Sequence, residues 1–87
     1  MKYKIKVTTK NIEDGIPHSG EYCPIALAIQ DHKSLKEKLK GTYVYTWKIE
    51  GPNIKVSIPK KAKNFINKFD NGCKVKPFEF FVDVPNS

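Results

Sequence analysis

The chain has no arginine. All sixteen of its strong bases are lysine, and against nine acidic residues they leave a net charge of +7. Arginine supplies the planar fork that reads guanine edges and grips phosphates in pairs, so its absence argues against base-specific readout of duplex DNA. Lysine is a hydrated point charge that draws acidic surfaces without reading them, and it equally serves only to solvate a surface. Cysteine is scarce too. Two residues, Cys23 and Cys73, are too few for a disulfide scaffold, and a bridge between them is not expected in a reducing compartment. With His18 and His32 they match no paired metal-ligand spacing, so neither metal nor cofactor is expected. A glycine-rich phosphate loop, a Ser/His/Asp set and a Cys-X-X-Cys pair are all missing. No apolar run approaches the roughly 18–20 residues that span a bilayer, which excludes a membrane helix. The basic start, Met1 to Val7, has no apolar block after it, so no signal peptide is expected and the cytoplasm is the expected location.

What is present reads as one small α+β domain covering residues 1–87, with no repeat, linker or low-complexity tract. Residues 2–8 alternate, Tyr3, Ile5 and Val7 on one face and Lys2, Lys4 and Lys6 on the other, as in a half-buried strand. Thr9 to Gly15 suggests a turn of helix capped by Thr9 or Asn11, and Ile16 to Tyr22 a loop. Cys23-Pro24 followed by Ile25-Ala26-Leu27-Ala28-Ile29 reads as a buried helix running to about His32, with proline at its first position. Ser34 to Lys40 extends it or forms a second short helix, with Ser34 and Glu37 as a capping box.

Residues 42–49 read as the strongest strand, with Tyr43, Tyr45, Trp47 and Ile49 sharing an inward face. Glu50 to Asn53 turns the chain into a returning strand over 54–58. A helix follows from Lys60 to about Phe69, burying Ala62, Phe65, Ile66 and Phe69, and 78–84 is a last strand. The order β-α-β-β-α-β implies a ferredoxin-like or similar four-stranded sheet with two helices on one face. The expected core is Ile5, Val7, Ile25, Ala28, Ile29, Tyr45, Trp47, Val56, Phe65, Phe69, Phe80 and Val82. The other sheet face carries Lys2, Lys4, Lys6, Lys48 and Lys55 with Glu79 and Asp83.

Three features bear on chemistry. Cys23 at a helix N-cap meets free N–H groups that would stabilise a thiolate. A nucleophile also needs a base within reach, and only His18 or His32 could supply it. The competing reading is a small buried cap. Lys60, Lys61 and Lys63 at the start of the second long helix make an anion site, or a solvated helix face. Tyr43, Tyr45 and Trp47 are expected in the core; if they face solvent, they offer a surface for stacking unpaired bases. The third strand lacks an RNA-recognition-motif signature.

Several segments resemble a group of small proteins encoded by bacteriophages and prophages. They are Ile12-Glu13-Asp14-Gly15-Ile16-Pro17, Cys23-Pro24-Ile25-Ala26-Leu27-Ala28, Phe65 to Gly72, and Pro77-Phe78-Glu79-Phe80. The resemblance implies a phage accessory protein acting in the bacterial cytoplasm, and no particular chemistry. The expected function is therefore a non-enzymatic protein that binds an acidic partner in the host cell. That partner is a host or defence protein it inhibits or a nucleotide-type signal it sequesters, held by Lys2, Lys4 and Lys6 or by Lys60, Lys61 and Lys63. Two alternatives stand beside it: nucleic acid bound through its phosphates without sequence specificity, and a thiol-dependent enzyme using Cys23. The oligomeric state is left open.

Overall fold

A computed structural model describes residues 1–85. The helices are α1 (Thr9–Asp14), α2 (Pro24–Asp31), α3 (Leu35–Lys38) and α4 (Lys60–Asp70); the strands are β1 (Lys2–Val7), β2 (Tyr43–Val44), β3 (Lys48–Gly51), β4 (Ile54–Ser57) and β5 (Phe78–Asp83). The α+β class read from the sequence holds. The single four-stranded sheet does not. Among the described residues the strands form an antiparallel pair, β1–β5, and an antiparallel triple in the order β2-β3-β4, and the two longer helices are joined by the short helices α1 and α3 where the sequence suggests helical turns. β4 lies against β5, but no ladder joins the two sheets.

The division follows from a turn that carries no turn residues. Thr46 and Trp47 form a two-residue loop, closed by the Tyr45 N–H donating to the Lys48 carbonyl at 2.7 Å. The run over 42–49 is therefore a hairpin and not one strand. Passing through a two-residue loop inverts the odd–even parity of the inward face. Val44, Ile49 and Val56 line up inward across the triple, while Tyr43 pairs with Glu50 and points out with Lys55. Tyr45 and Trp47, expected in the core, are thereby left in solvent. The next hairpin pairs Gly51 with Ile54 and turns on Pro52-Asn53, as the sequence indicates.

The core is otherwise close to expectation. Ile5, Val7, Ile25, Ala28, Ile29, Val56, Phe65, Phe80 and Val82 are buried, and Phe69 packs at the edge. Leu35 and Leu39, fully or nearly fully buried, complete it from α3 and its C-cap. Three aromatic rings join α4 to β5: Phe65 stacks on Phe78 with centroids 4.6 Å apart, and Phe78 on Phe80 at 5.4 Å.

Local capping departs from the sequence reading in two places. Thr8, not Thr9 or Asn11, caps α1. The Asn11 N–H donates to Thr8 Oγ1 at 3.2 Å, and the Thr8 N–H donates to Asn11 Oδ1 at 2.9 Å. The Asn11 amide then donates to Asp31 at 2.9 Å, tying α1 to the end of α2. At α3, Ser34 makes no side-chain cap; His32 Nδ1 accepts from the N–H groups of Ser34 and Leu35 at 3.2 and 3.1 Å.

Gly15 ends α1 directly against α2. A Cβ there would lie 2.6 Å from Pro24 Cδ, inside any tolerable contact. Gly15→Ala should accordingly cost about 1–3 kcal/mol, the range for overpacking a tight site. Leu35→Ala should cost about 2–5 kcal/mol, and Trp47→Ala no more than about 1 kcal/mol. Denaturant melts followed by circular dichroism check all three; a loss of several kcal/mol from Trp47→Ala would put that ring back in the core.

Candidate functional site

Cys23 is the N-cap of α2, as the sequence predicts. Its Sγ accepts from the Ala26 N–H at 3.4 Å, and the residue is buried. Burial pushes the thiol pKa up. Hydrogen bonds from the Ala26 and Ile25 backbone pull it down by less, and the Asp70 carboxylate adds a smaller upward push. The helix end therefore does not prevail over desolvation, and the thiolate is not the favoured form at neutral pH. His18 and Cys23 line one cavity of about 320 Å³ together with Ser19, Tyr45 and Asp70. Within it His18 is engaged with Asp70: its backbone N–H donates to Oδ1 at 2.9 Å and its ring Nδ1 lies 3.7 Å from Oδ2. His18 itself sits at φ 60, in the left-handed region. His32 is at the other end of α2, occupied in capping α3. Among the described residues no group of His, Cys, Asp and Glu is arranged to hold a metal ion.

Lysines mark three surfaces of the protein. Lys2, Lys4 and Lys6 stand on the exposed face of β1, as expected, but acids face them. Lys2 pairs across the ladder with Asp83 and Lys6 with Glu79, and Lys4 Nζ lies 3.4 Å from Glu79. Cross-strand opposite charges of this kind lower the net field of the patch.

The second surface is different. Lys61 and Lys68, seven positions apart on one face of α4, border a cleft of about 420 Å³ whose other wall carries Lys74 and Lys76. Asn64, Phe65, Val75 and Phe78 complete the lining, and no carboxylate is among it. None of the four lysines takes part in an ion pair among the described residues. Of the helix-start cluster expected from the sequence, only Lys61 reaches this cleft. Lys60 is exposed and Lys63 half-buried, and neither lines it. Lys68 shares a helix face with Lys61, but Lys74 and Lys76 were not legible as part of a site, because a helix C-cap and a non-repetitive segment bring them there. The chain turns there at Gly72, φ 78, with the Cys73 N–H donating to the Lys68 carbonyl at 2.9 Å.

A third surface is the outward face of the triple sheet. Tyr43, Tyr45 and Trp47 are 46%, 46% and 51% exposed. Lys48 Nζ lies 4.3 Å from the Trp47 ring centroid and 5.4 Å from that of Tyr45, and Lys55 Nζ lies 5.7 Å from Trp47. Such cation–π contacts hold the rings in place while leaving them in water. Glu50 is the acid on this face, and Lys48 bonds it at 2.8 Å, holding its carboxyl below the usual range.

Alkylation separates the two cysteines. Exposed Cys73 should react promptly with iodoacetamide at pH 7.5, and buried, protonated Cys23 only at the rate of global or local opening. Peptide mapping of the labelled sites reads this out, and prompt labelling of Cys23 would show an activated thiol instead. Comparison of the chain with known protein families, with curated proteins and with solved structures returns no match, so neither a family nor an activity enters from that side.

Proposed function

We propose that the protein is a small non-enzymatic binding module for an acidic partner, which it holds in the four-lysine cleft between α4 and residues 74–78. One observation carries this reading: four lysines line one cleft and, among the described residues, no carboxylate does. Like charges brought together on a compact domain repel one another, and an anion in their midst relieves that repulsion. The apolar floor of Phe65, Val75 and Phe78 would in addition take a flat or aliphatic group of the same ligand. The patch on β1, already faced by Asp83 and Glu79, contributes less than its three lysines suggest. The resemblance to phage-encoded proteins supports a partner in the cytoplasm of an infected bacterium. A host or defence protein or a nucleotide-type signal fits that setting. A second reading, nucleic acid held through its phosphates, is favoured by the lysine-flanked rings on the triple sheet.

Affinity capture from bacterial lysate, with proteins and small molecules both analysed, tests this. The unaltered chain should retain an acidic species that a Lys68→Glu, Lys74→Glu double variant loses at least ten-fold. Lys4→Glu should change retention much less, because Lys4 is already paired with Glu79. Equal retention by the cleft variant would refute the assignment.

A further inference from the structure

The outward face of the β2–β3–β4 sheet is not part of the cleft, and its composition is unusual for a surface left to solvent. Every residue directed outward there is an aromatic, a lysine or a small polar group, apart from Glu50, which Lys48 neutralises. We propose that this face is a stacking platform for the unpaired bases of single-stranded nucleic acid, with Trp47 as the principal stacking ring.

The parity inversion at Thr46-Trp47 is the structural cause. It turns Tyr43 and Tyr45 away from the core and leaves Trp47 in the loop itself, with Tyr45 and Trp47 beside Lys48 and Trp47 also near Lys55. An aromatic ring half exposed to water gains by stacking on a base, and Lys55, which takes part in no ion pair among the described residues, is the cation near Trp47 that can meet the adjoining phosphate. Lys48 serves two rings at once, Trp47 at 4.3 Å and Tyr45 at 5.4 Å, and Lys55 approaches Trp47 from the neighbouring strand. The arrangement recurs on the other sheet, where Phe81 is 57% exposed and Lys4 Nζ lies 5.7 Å from its ring. Stacking needs a base whose face is free, which a duplex does not offer, so the strand must be single. With lysine alone as the cationic residue, recognition is by backbone and stacking and is tolerant of sequence.

This rests on the second reading given above, nucleic acid at the triple sheet, and uses a surface other than the lysine cleft, so the two can fail separately. Trp47 is the only tryptophan of the chain, and its fluorescence reports this site alone. Titrating the full chain with an oligothymidylate of about 15 nucleotides, within the usual site size of one small domain, should quench that fluorescence saturably. Binding should weaken steeply as salt rises. Followed by anisotropy of a labelled oligonucleotide, Trp47→Ala should weaken binding about ten-fold or more, and Trp47→Phe less. Tyr45→Ala gives a second variant should the first be poorly folded by circular dichroism. Inorganic polyphosphate of similar charge should bind without quenching and more weakly, and Lys68→Glu, Lys74→Glu should leave the quench in place. Equal binding of polyphosphate and oligothymidylate with no quench would reduce the contact to charge and overturn the proposal. So would equal affinity for a duplex of the same length, or indifference of binding to both aromatic substitutions. A fluorescence response to phosphatidylserine vesicles but not to the oligonucleotide would assign the face to a membrane surface and overturn it as well.

Discussion

The helix α2 has almost no polar face. Pro24, Ile25, Ala26, Ala28 and Ile29 are all buried, and only Gln30 and Asp31 at its end are exposed. A helix apolar on nearly every side is stable only when other elements cover it from several directions at once. Here β1, α1, α3 and β2 all pack on it. The entry is set by small and rigid groups: Cys23 closes the N-terminus with its own sulfur, Pro24 fixes the first turn, and Gly15 permits α1 to end in contact with that proline.

That geometry explains which parts of the fold the sequence disclosed. Period-two alternation marked β1, β4 and β5 because each has one buried and one wet face, and period 3.6 marked α4 for the same reason. Cys23-Pro24 marked the start of α2 through capping chemistry that needs no tertiary knowledge. The run Tyr43 to Ile49 misled for a physical reason. Its alternation is unbroken, and its turn is made by Thr46-Trp47 with none of the glycine, asparagine or aspartate that hairpin loops usually show. Strand pairing between residues eighty positions apart, as in β1–β5, leaves no local mark at all. Of the lysine cleft the helical pattern places Lys61 and Lys68 on one face of α4, but Lys74 and Lys76 reach them only through the turn at Gly72, which no local pattern announces.

Charge on this protein is thus not a single quantity. A net +7 is consistent with many surfaces, and the fold decides which lysines are free to act. Those on β1 meet Asp83 and Glu79, Lys48 is shared between Glu50 and two aromatic rings, and Lys10 pairs with Asp14 along α1 at 3.8 Å. Lys61, Lys68, Lys74 and Lys76, outside any ion pair among the described residues, gather around one cleft. Exposed ion pairs stabilise a fold little, so these pairings matter chiefly by removing charge from some faces and leaving it on others.

The β1–β5 ladder has a further consequence for how the chain comes into being. β1 is made first, and its partner only after some seventy more residues. Throughout that interval β1 is an orphan edge, with Ile5 and Val7 uncovered and its backbone groups unpaired. Lysine at every second position is the common means of keeping such an edge from pairing with another chain. Lys2, Lys4 and Lys6 fit that requirement on the unpaired strand, and in the finished ladder Glu79 and Asp83 come to face them and offset part of their charge.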